Sequence, residues 1–238
     1  MINSWTAKDR AWIADDIIVG AITGIRFDFH GLGCAWHEDK PNDAEREFAA
    51  QGTLTISPYY GPWSWMNREA RAFLDELIAK IYVEYGLVAD IPLALTGGSM
   101  GGGSALIYAR YSQHRLAGCS VNCPVCDFRY HFTERPDVAR TMHHAFGHYG
   151  IPTEEAVCEG SPLHQVAALP DIPYFFIHGD ADTAVNKGAH SDQLVPAMRA
   201  RGLRVEYHEV PGMGHCGPVP EDVSRRERAF LREVGIQS

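Results

Sequence analysis

The feature that most constrains this chain is a serine set among glycines, in the stretch Thr96-Gly97-Gly98-Ser99-Met100-Gly101-Gly102-Gly103. A short apolar stretch of strand type, Ile91 to Leu95, precedes it, and a stretch of helical character, Ser104 to Tyr111, follows it. A serine on such a tight strand-to-helix turn adopts a strained backbone conformation, which leaves room only for glycine two residues before and after it. The pattern predicts a serine hydroxyl that projects from the C-terminal edge of a sheet. The amide of Met100 would then point to where an oxyanion forms.

Strands and helices alternate from Thr53 onward, which indicates a mostly parallel sheet with helices on both faces. Ligands bind such sheets at the C-terminal ends of the strands. Two further strands are predicted before Thr53, at Ile17 to Ile22 and Ile25 to Phe29, whereas Trp5 to Asp16 shows no clear pattern. Later strands are predicted at Thr53–Ser57, Ile91–Leu95, Leu116–Val121, Tyr174–Ile177 and Val205–Val210, and helices at Asp43–Ala50, Asn67–Tyr85, Ser191–Arg201 and Asp222–Val234.

Composition narrows the class of protein. The chain has 238 residues, 45% of them hydrophobic and 21% charged, which fits a single domain over residues 1–238 with a substantial core. A net charge of −9 argues against nucleic acid or an anionic membrane as a partner. No apolar run approaches the roughly 20 residues that span a bilayer, and Met1 to Arg10 lacks the apolar core of a signal peptide. We therefore expect a cytoplasmic protein whose six cysteines are reduced thiols.

Partners for Ser99 occur later in the chain, each directly after a predicted strand. A serine hydroxyl is a weak nucleophile and needs a base, for which an imidazole near neutral pKa is suited. The imidazole needs a carboxylate to fix its tautomer. The chain supplies Ser99, Asp182 and His215 in that order, with Asp180 and Asp127 as less favoured candidates for the acid. The sequence therefore predicts a nucleophile, an acid and a base at one edge of the sheet.

These residues stand in stretches that resemble the α/β-hydrolase superfamily, and most closely its dienelactone-hydrolase-like and prolyl-oligopeptidase-like branch. The resemblance covers the chain from about Asp90 to Gly217. It implies the α/β-hydrolase fold, with Asp182 as the acid. The matching stretches are Gly97-Gly98-Ser99-Met100-Gly101-Gly102, Ser161-Pro162, Leu169-Pro170-Asp171-Ile172-Pro173, His178-Gly179-Asp180-Ala181-Asp182-Thr183-Ala184-Val185 and Gly212-Met213-Gly214-His215.

The resemblance also assigns an oxyanion loop. In the family this loop follows an early strand that ends in His-Gly, which matches His30-Gly31-Leu32-Gly33 and makes the Leu32 amide the second oxyanion donor beside Met100. His30 would order the loop. A full family sheet has two strands before this one, and only 29 residues precede His30. We therefore expect the sheet to be shortened at its N-terminal edge.

Aromatic residues follow the Thr53 strand and would lie near the rim of a pocket. Tyr60, Trp63 and Trp65, with His30, are candidates for a substrate pocket, and packing against the core is an equally good interpretation of the aromatics. Residues 122–160 form a long segment without strands, which is typical of a lid or cap over the site.

A metal site is a weaker possibility. Cys123 and Cys126 have the spacing of a zinc knuckle, but no second cysteine pair follows them. The histidines of the same segment, His131, His143, His144 and His148, have no fixed ligand spacing. We expect no metal and no cofactor. Cys216 is interpreted as a small buried side chain.

The combined pattern predicts a cofactor-independent serine hydrolase that cleaves a carboxylic ester, or a related acyl bond, of a small-molecule substrate through an acyl-enzyme. Three alternatives stay open. One is a peptidase acting on short or acylated peptides, and another is a non-catalytic binding protein on the same fold. The third is a lyase or perhydrolase that uses the same three residues.

Overall fold

The computed structural model describes residues 5–34, 40–88 and 90–237. In this part of the chain, seven strands form one sheet in the order β1-β3-β2-β4-β5-β6-β7. The strands are β1 (Ala11–Ile13), β2 (Gly24–Phe29), β3 (Thr53–Pro58), β4 (Leu93–Gly98), β5 (Gly118–Asn122), β6 (Tyr174–Gly179) and β7 (Val205–Val210). The helices are α1 (Asp43–Ala50), α2 (Arg68–Glu84), α3 (Met100–Tyr111), α4 (Phe128–Glu134), α5 (Pro136–Phe146), α6 (Thr153–Glu159), α7 (Ser191–Ala200) and α8 (Glu221–Glu233).

All neighbouring strands from β3 to β7 in this order pair in parallel, and β1 pairs with β3 in the antiparallel direction, with Ala11 opposite Pro58. The parallel arrangement confirms the sheet expected from the sequence. Among the described residues, only the three-residue β1 precedes β2, so the sheet is shortened at this edge as the resemblance implies.

The prediction of a strand at Ile17 to Ile22 is wrong. This stretch forms turns and irregular backbone, and Val19 in its middle is 67% exposed. Gly20 takes a φ of 79°, which breaks the extended backbone that a strand requires. The strand that does pair with the sheet edge, β1, lies in the stretch from Trp5 to Asp16, where the sequence showed no pattern.

Helices cover both faces of the sheet, because successive strand side chains point to opposite sides. Leu93 and Leu95 of β4 belong to the larger apolar cluster, to which α2, α3 and α7 contribute. Ala94, between them, belongs to a second cluster with Phe48 of α1 and Phe230 of α8. The doubly covered sheet expected from the alternating pattern is therefore confirmed.

The segment at residues 122–160 is largely helical and contains α4, α5 and α6. It packs against the loop after β3, where the fully buried Trp65 ring lies 5.1 Å from the Phe128 ring, and the Trp65 Nε1 donates to Thr141 Oγ1 at 3.0 Å. It also contacts α2, where Glu159 accepts hydrogen bonds from Arg68 and Arg71. Its interpretation as a lid stays a prediction.

Among the described residues, no helix combines the length and the apolar character that a membrane crossing requires.

Candidate active site

Ser99 occupies the turn between β4 and α3 in a conformation that few non-glycine residues adopt. Its φ is 57° and its ψ is −125°. The Ser99 amide donates to the Asn122 carbonyl at 3.0 Å, and the Ser99 carbonyl accepts from the amides of Gly103 and Val125, both at 3.1 Å. The ends of β4 and β5 and the start of α3 therefore hold the serine backbone in this position.

Glycines make this turn possible. A Cβ on Gly101 would overlap the Phe29 carbonyl oxygen at the end of β2, and a Cβ on Gly97 would lie 2.7 Å from the Gly101 backbone. Both distances are too short for a side chain, so the requirement for glycine on each side of Ser99 is steric. The end of β2, and with it the His30 loop, is thereby pressed against the start of α3.

His215 connects Ser99 to Asp182. Its Nε2 lies 2.9 Å from Ser99 Oγ, and its Nδ1 lies 2.8 Å from Asp182 Oδ2. The Asp182 side chain is fully buried, while that of His215 is 27% exposed. The contact with a carboxylate places the imidazole proton on Nδ1 and leaves the lone pair of Nε2 to accept the serine hydroxyl proton. The structure thus brings together the three residues that the sequence singled out.

The Asp182 carboxylate is held by its own loop. Its Oδ1 accepts hydrogen bonds from the amides of Ala184 and Val185, both at 2.9 Å, and its Oδ2 also lies 3.4 Å from Nε2 of the buried His178. Burial alone would raise the pKa of Asp182, but the hydrogen bonds from His178, His215 and the loop amides outweigh it and hold the pKa well below its usual range. Asp182 is therefore ionised at neutral pH.

The hydrogen bond between Asp182 and His215 also changes the pKa of the histidine. The hydrogen bond to Asp182, followed by the nearby Cys123 thiol, raises the pKa of His215 to about 9, although burial opposes this shift. Both neighbours favour the imidazolium form because each accepts a hydrogen bond from the ring. The site is thus arranged to stabilise a protonated histidine.

The other acids occupy different positions. Asp180 is exposed, and its Oδ1 accepts the Gly212 amide at 2.6 Å. Asp127 precedes α4 and accepts the Tyr130 amide at 3.0 Å. Neither carboxylate contacts His215, so Asp182 is the acid that the structure joins to this ring.

The loop His30-Gly31-Leu32-Gly33 lies beside Ser99, and a Cβ on Gly31 would be 4.0 Å from Ser99 Cβ. His30 Nδ1 donates to the Gly31 carbonyl at 2.9 Å, and burial lowers the pKa of His30. The amides of Leu32 and Met100 have no hydrogen-bond acceptor within the described part of the chain. Both amides are therefore available to a ligand, while His30 serves the loop.

The aromatic candidates divide between a cavity and the core. Tyr60 stacks on His30 with ring centroids 4.2 Å apart and donates from its hydroxyl to the His30 carbonyl at 2.8 Å. Tyr60 and Trp63 line a cavity of about 540 Å³ beside α2, together with Phe73. Trp63 is 37% exposed there, whereas Trp65 is fully buried. Of the two interpretations of the aromatics, Trp65 therefore follows packing against the core, because its ring fills the space between the aromatic loop and α4.

Cys123 and Cys126, whose spacing raised the weaker possibility of a zinc knuckle, have different surroundings in the structure. Cys126 is fully buried with its Sγ 3.4 Å from the Pro124 carbonyl, and burial raises the pKa of its thiol. Cys123 instead lies with Cys216 and His215, where one ligand atom from each falls within 4.8 Å of the others. Cys216 is exposed, so its interpretation as a buried side chain is wrong. Cys123 and Cys216 are 93 positions apart in the sequence, so no spacing pattern could have indicated this cluster.

A second group of possible ligands is buried at α4, where His131, Glu134 and His190 lie together. His131 Nδ1 lies 2.6 Å and His190 Nε2 lies 3.0 Å from Glu134 Oε2. Glu134 Oε1 accepts the Asn186 amide at 2.8 Å. This network links the helical segment at residues 122–160 to the loop that carries Asp182.

The sequence profile of the prolyl oligopeptidase family matches residues 73–234. No curated protein sequence matches the chain at a significant level. Similar solved structures include a lipase in its open form, at 17% identity and a TM-score of 0.68, with 94% of each chain covered. Esterase B from Lactobacillus rhamnosis is 18% identical with a TM-score of 0.68, over 91% of this chain and 76% of the esterase.

An acylaminoacyl peptidase from Pyrococcus horikoshii is 12% identical with a TM-score of 0.74, over 96% of this chain. The chain spans only 40% of the length of that peptidase. These structural likenesses confirm the α/β-hydrolase fold expected from the sequence.

Proposed function

The chain belongs to the prolyl oligopeptidase family and is a serine hydrolase, and we propose that it cleaves a carboxylic ester with Ser99 as nucleophile, His215 as general base and Asp182 as the orienting acid. The observation that carries this proposal is the unbroken hydrogen-bonded series from Ser99 Oγ through His215 to Asp182, at 2.9 and 2.8 Å. A nucleophile, a base and an acid within hydrogen-bond reach of one another form the arrangement that activates serine.

In this reaction, Nε2 of His215 takes the hydroxyl proton as Ser99 Oγ attacks the ester carbonyl. Asp182 stabilises the imidazolium that forms. The amides of Met100 and Leu32 donate to the oxyanion of the tetrahedral intermediate. His215 then protonates the leaving alcohol, and in the second half of the reaction it activates the water that cleaves the acyl-enzyme.

Two neighbouring features would shape substrate choice. The cavity lined by Tyr60 and Trp63 adjoins the oxyanion loop through the contact of Tyr60 with His30, and we assign it to an apolar part of the substrate. The segment at residues 122–160 begins at Asn122, whose carbonyl binds the Ser99 amide. This connection supports its role as a lid within a single domain. A cytoplasmic location stays a prediction of the sequence.

A peptidase activity on short or acylated peptides is the second candidate, because the matching family profile is that of the prolyl oligopeptidases. The same three residues would cleave an amide, with His215 protonating a leaving amine. Parallel assays with p-nitrophenyl esters and aminoacyl p-nitroanilides separate the two activities. Faster turnover of the anilides would assign the protein as a peptidase.

The decisive experiment compares wild type with Ser99→Ala in ester hydrolysis and in labelling by a fluorophosphonate probe. We expect Ser99→Ala to lose several orders of magnitude in kcat/KM and to remain unlabelled, while Ser224→Ala on α8 behaves as wild type. If Ser99→Ala kept wild-type hydrolysis, the assignment of the nucleophile would be wrong. A folded wild type that neither hydrolyses nor labels would instead favour a non-catalytic binding protein.

A p-nitrophenyl ester series of increasing acyl length then tests the cavity. We expect Trp63→Ala to change the ratio of rates between long and short acyl chains. If the ratio did not change, the cavity would not be the part of the protein that binds the acyl chain.

A further inference from the structure

Two cysteines flank the histidine of the candidate active site. Cys123 follows β5 and is fully buried, while Cys216 follows His215 directly and is exposed. The Cys216 amide donates to Cys123 Sγ at 3.4 Å, and Cys216 Sγ lies 3.8 Å from the Asn122 carbonyl. One ligand atom of each of Cys123, Cys216 and His215 lies within 4.8 Å of the other two.

The upper bound of 4.8 Å on these separations is close to the spacing that a zinc ion requires. Bond lengths of about 2.3 Å to sulfur and about 2.0 Å to nitrogen place the ligands of a tetrahedral site roughly 3.5–4 Å apart. Two thiolates and one imidazole form a soft ligand set that selects zinc over calcium or magnesium. Three protein ligands with one open position also match the pattern of accessible zinc sites rather than closed structural ones.

The two thiols are fixed in place by unusual backbone. Cys123 has a φ of 46° and Cys216 a φ of 47°, a region that non-glycine residues seldom adopt. Metals bind the thiolate form of cysteine, so each thiol loses its proton when the ion binds.

The histidines of the three groups of possible ligands differ in which ring nitrogen carries a proton. His190 Nδ1 accepts the amides of Cys126 and Asp127 at 3.1 and 3.0 Å, so its Nε2 carries the proton that is donated to Glu134. His178 forms a third group of possible ligands with Cys123 and Asp182. Its Nε2 faces the Val185 carbonyl at 3.1 Å and must also carry a proton. Neither nitrogen has a lone pair for a metal. Nε2 of the neutral His215 ring has one, because the Nδ1 proton is directed at Asp182.

We propose that Cys123, Cys216 and His215 form an inhibitory binding site for a thiophilic divalent cation, with zinc as the fitting ion. The inhibition, though not the binding, rests on the proposed role of His215 as the base. Zinc takes the lone pair of Nε2, which then cannot accept the Ser99 proton, and Asp182 supports the metal-bound imidazole through Nδ1. Binding releases to solvent the thiol protons of Cys123 and Cys216 and the Nε2 proton of the His215 imidazolium, and it involves no redox change.

The test titrates reduced, chelator-treated protein with Zn²⁺ in competition with a chromophoric chelator, and with Co²⁺ to detect thiolate ligation by absorbance. We expect one ion per chain, a cobalt–thiolate absorption band, hydrolysis that falls as zinc occupancy rises, and full recovery with EDTA. Cys216→Ser should weaken zinc binding by about tenfold or more and reduce the inhibition equally. Equal zinc affinity in wild type and Cys216→Ser, or bound cobalt without the thiolate band, would overturn the proposal.

Cys158→Ser is the matched control, because this half-buried thiol lies on α6 outside the cluster, and it should bind zinc as wild type does. Cys123→Ser is the second variant, with folding of each checked by circular dichroism. If Cys123→Ser does not fold, zinc binding by Cys216→Ser, in which the substituted residue is exposed, decides the test. If metal-free wild type neither hydrolyses esters nor reacts with the fluorophosphonate, the proposed function is rejected. The cobalt–thiolate band would still report whether the metal site exists.

Discussion

Gly101 of α3 touches Phe29 at the end of β2 so closely that a Cβ on the glycine would overlap the Phe29 carbonyl oxygen. The same Cβ would lie 2.7 Å from the His30 carbonyl. This contact sets the separation between the helix that starts at Met100 and the loop that carries Leu32. Both proposed oxyanion donors therefore depend on one backbone-to-backbone contact.

Gly101→Ala should lower both stability and activity. The methyl group must push the helix start away from β2, and overpacking of this kind costs about 1–3 kcal/mol. The displaced Met100 and Leu32 amides would stabilise the oxyanion less well, so kcat should fall more than KM changes. Thermal unfolding and ester kinetics measure the two effects. Gly214→Ala, where a methyl group meets no atom within 4 Å, is the control for unfolding, and equal melting temperatures would contradict the steric argument.

Asp182→Asn should lower kcat by about 10⁴-fold while leaving the fold intact, because an amide at this position no longer holds His215 in the required tautomer. Asp180→Asn is the matched control two residues earlier. Its carboxylate is exposed and, within the part of the chain that the structure describes, bonds to the Gly212 amide alone, so near-wild-type kcat is expected. A larger loss in Asp180→Asn than in Asp182→Asn would assign the acid to the other aspartate.

The positions of Ser99, Asp182 and His215 could be anticipated from sequence, since each follows a strand of a parallel sheet and such strand ends share one edge. The short β1 could not, because its pairing with β3 depends on the folded sheet edge rather than on any local pattern. The burial of Trp65 and the meeting of Cys123 with Cys216 were also out of reach. Trp65 is buried by Phe128 of α4, and Cys123 meets Cys216 where the start of residues 122–160 packs against the loop after β7. Hydrophobic periodicity does not encode such contacts between distant parts of the chain.

Hydrolysis should increase with pH up to the alkaline range. The pKa of His215 is raised to about 9, first by Asp182 and then by Cys123, and only the neutral imidazole can accept the serine proton. kcat/KM should therefore rise as pH increases toward 9. Cys123→Ser removes the thiol contribution, so the inflection should move to lower pH. An inflection identical in Cys123→Ser and wild type would show that the thiol does not act on His215, and Cys158→Ser provides the baseline.

Glu134 joins α4 to the loop of Asp182 by accepting hydrogen bonds from His131, His190 and the Asn186 amide. Burial would raise the pKa of Glu134, but these donors lower it well below its usual range. Its side chain is only 12% exposed, so the loss of one acceptor is not readily replaced by water.

Glu134→Gln should destabilise the fold by about 1–3 kcal/mol, since the amide group of the new side chain would face one of these donors with a donor of its own. A carboxylate with a depressed pKa stabilises the fold above its unfolded-state pKa, and this contribution disappears as pH falls. The difference in unfolding free energy between wild type and Glu134→Gln should therefore be largest near pH 7 and decrease below about pH 4.3. Denaturant unfolding across this range measures it, with the exposed Glu155→Gln as control. A difference that stays constant with pH would show that the charge of Glu134 contributes nothing to the link between α4 and the Asp182 loop.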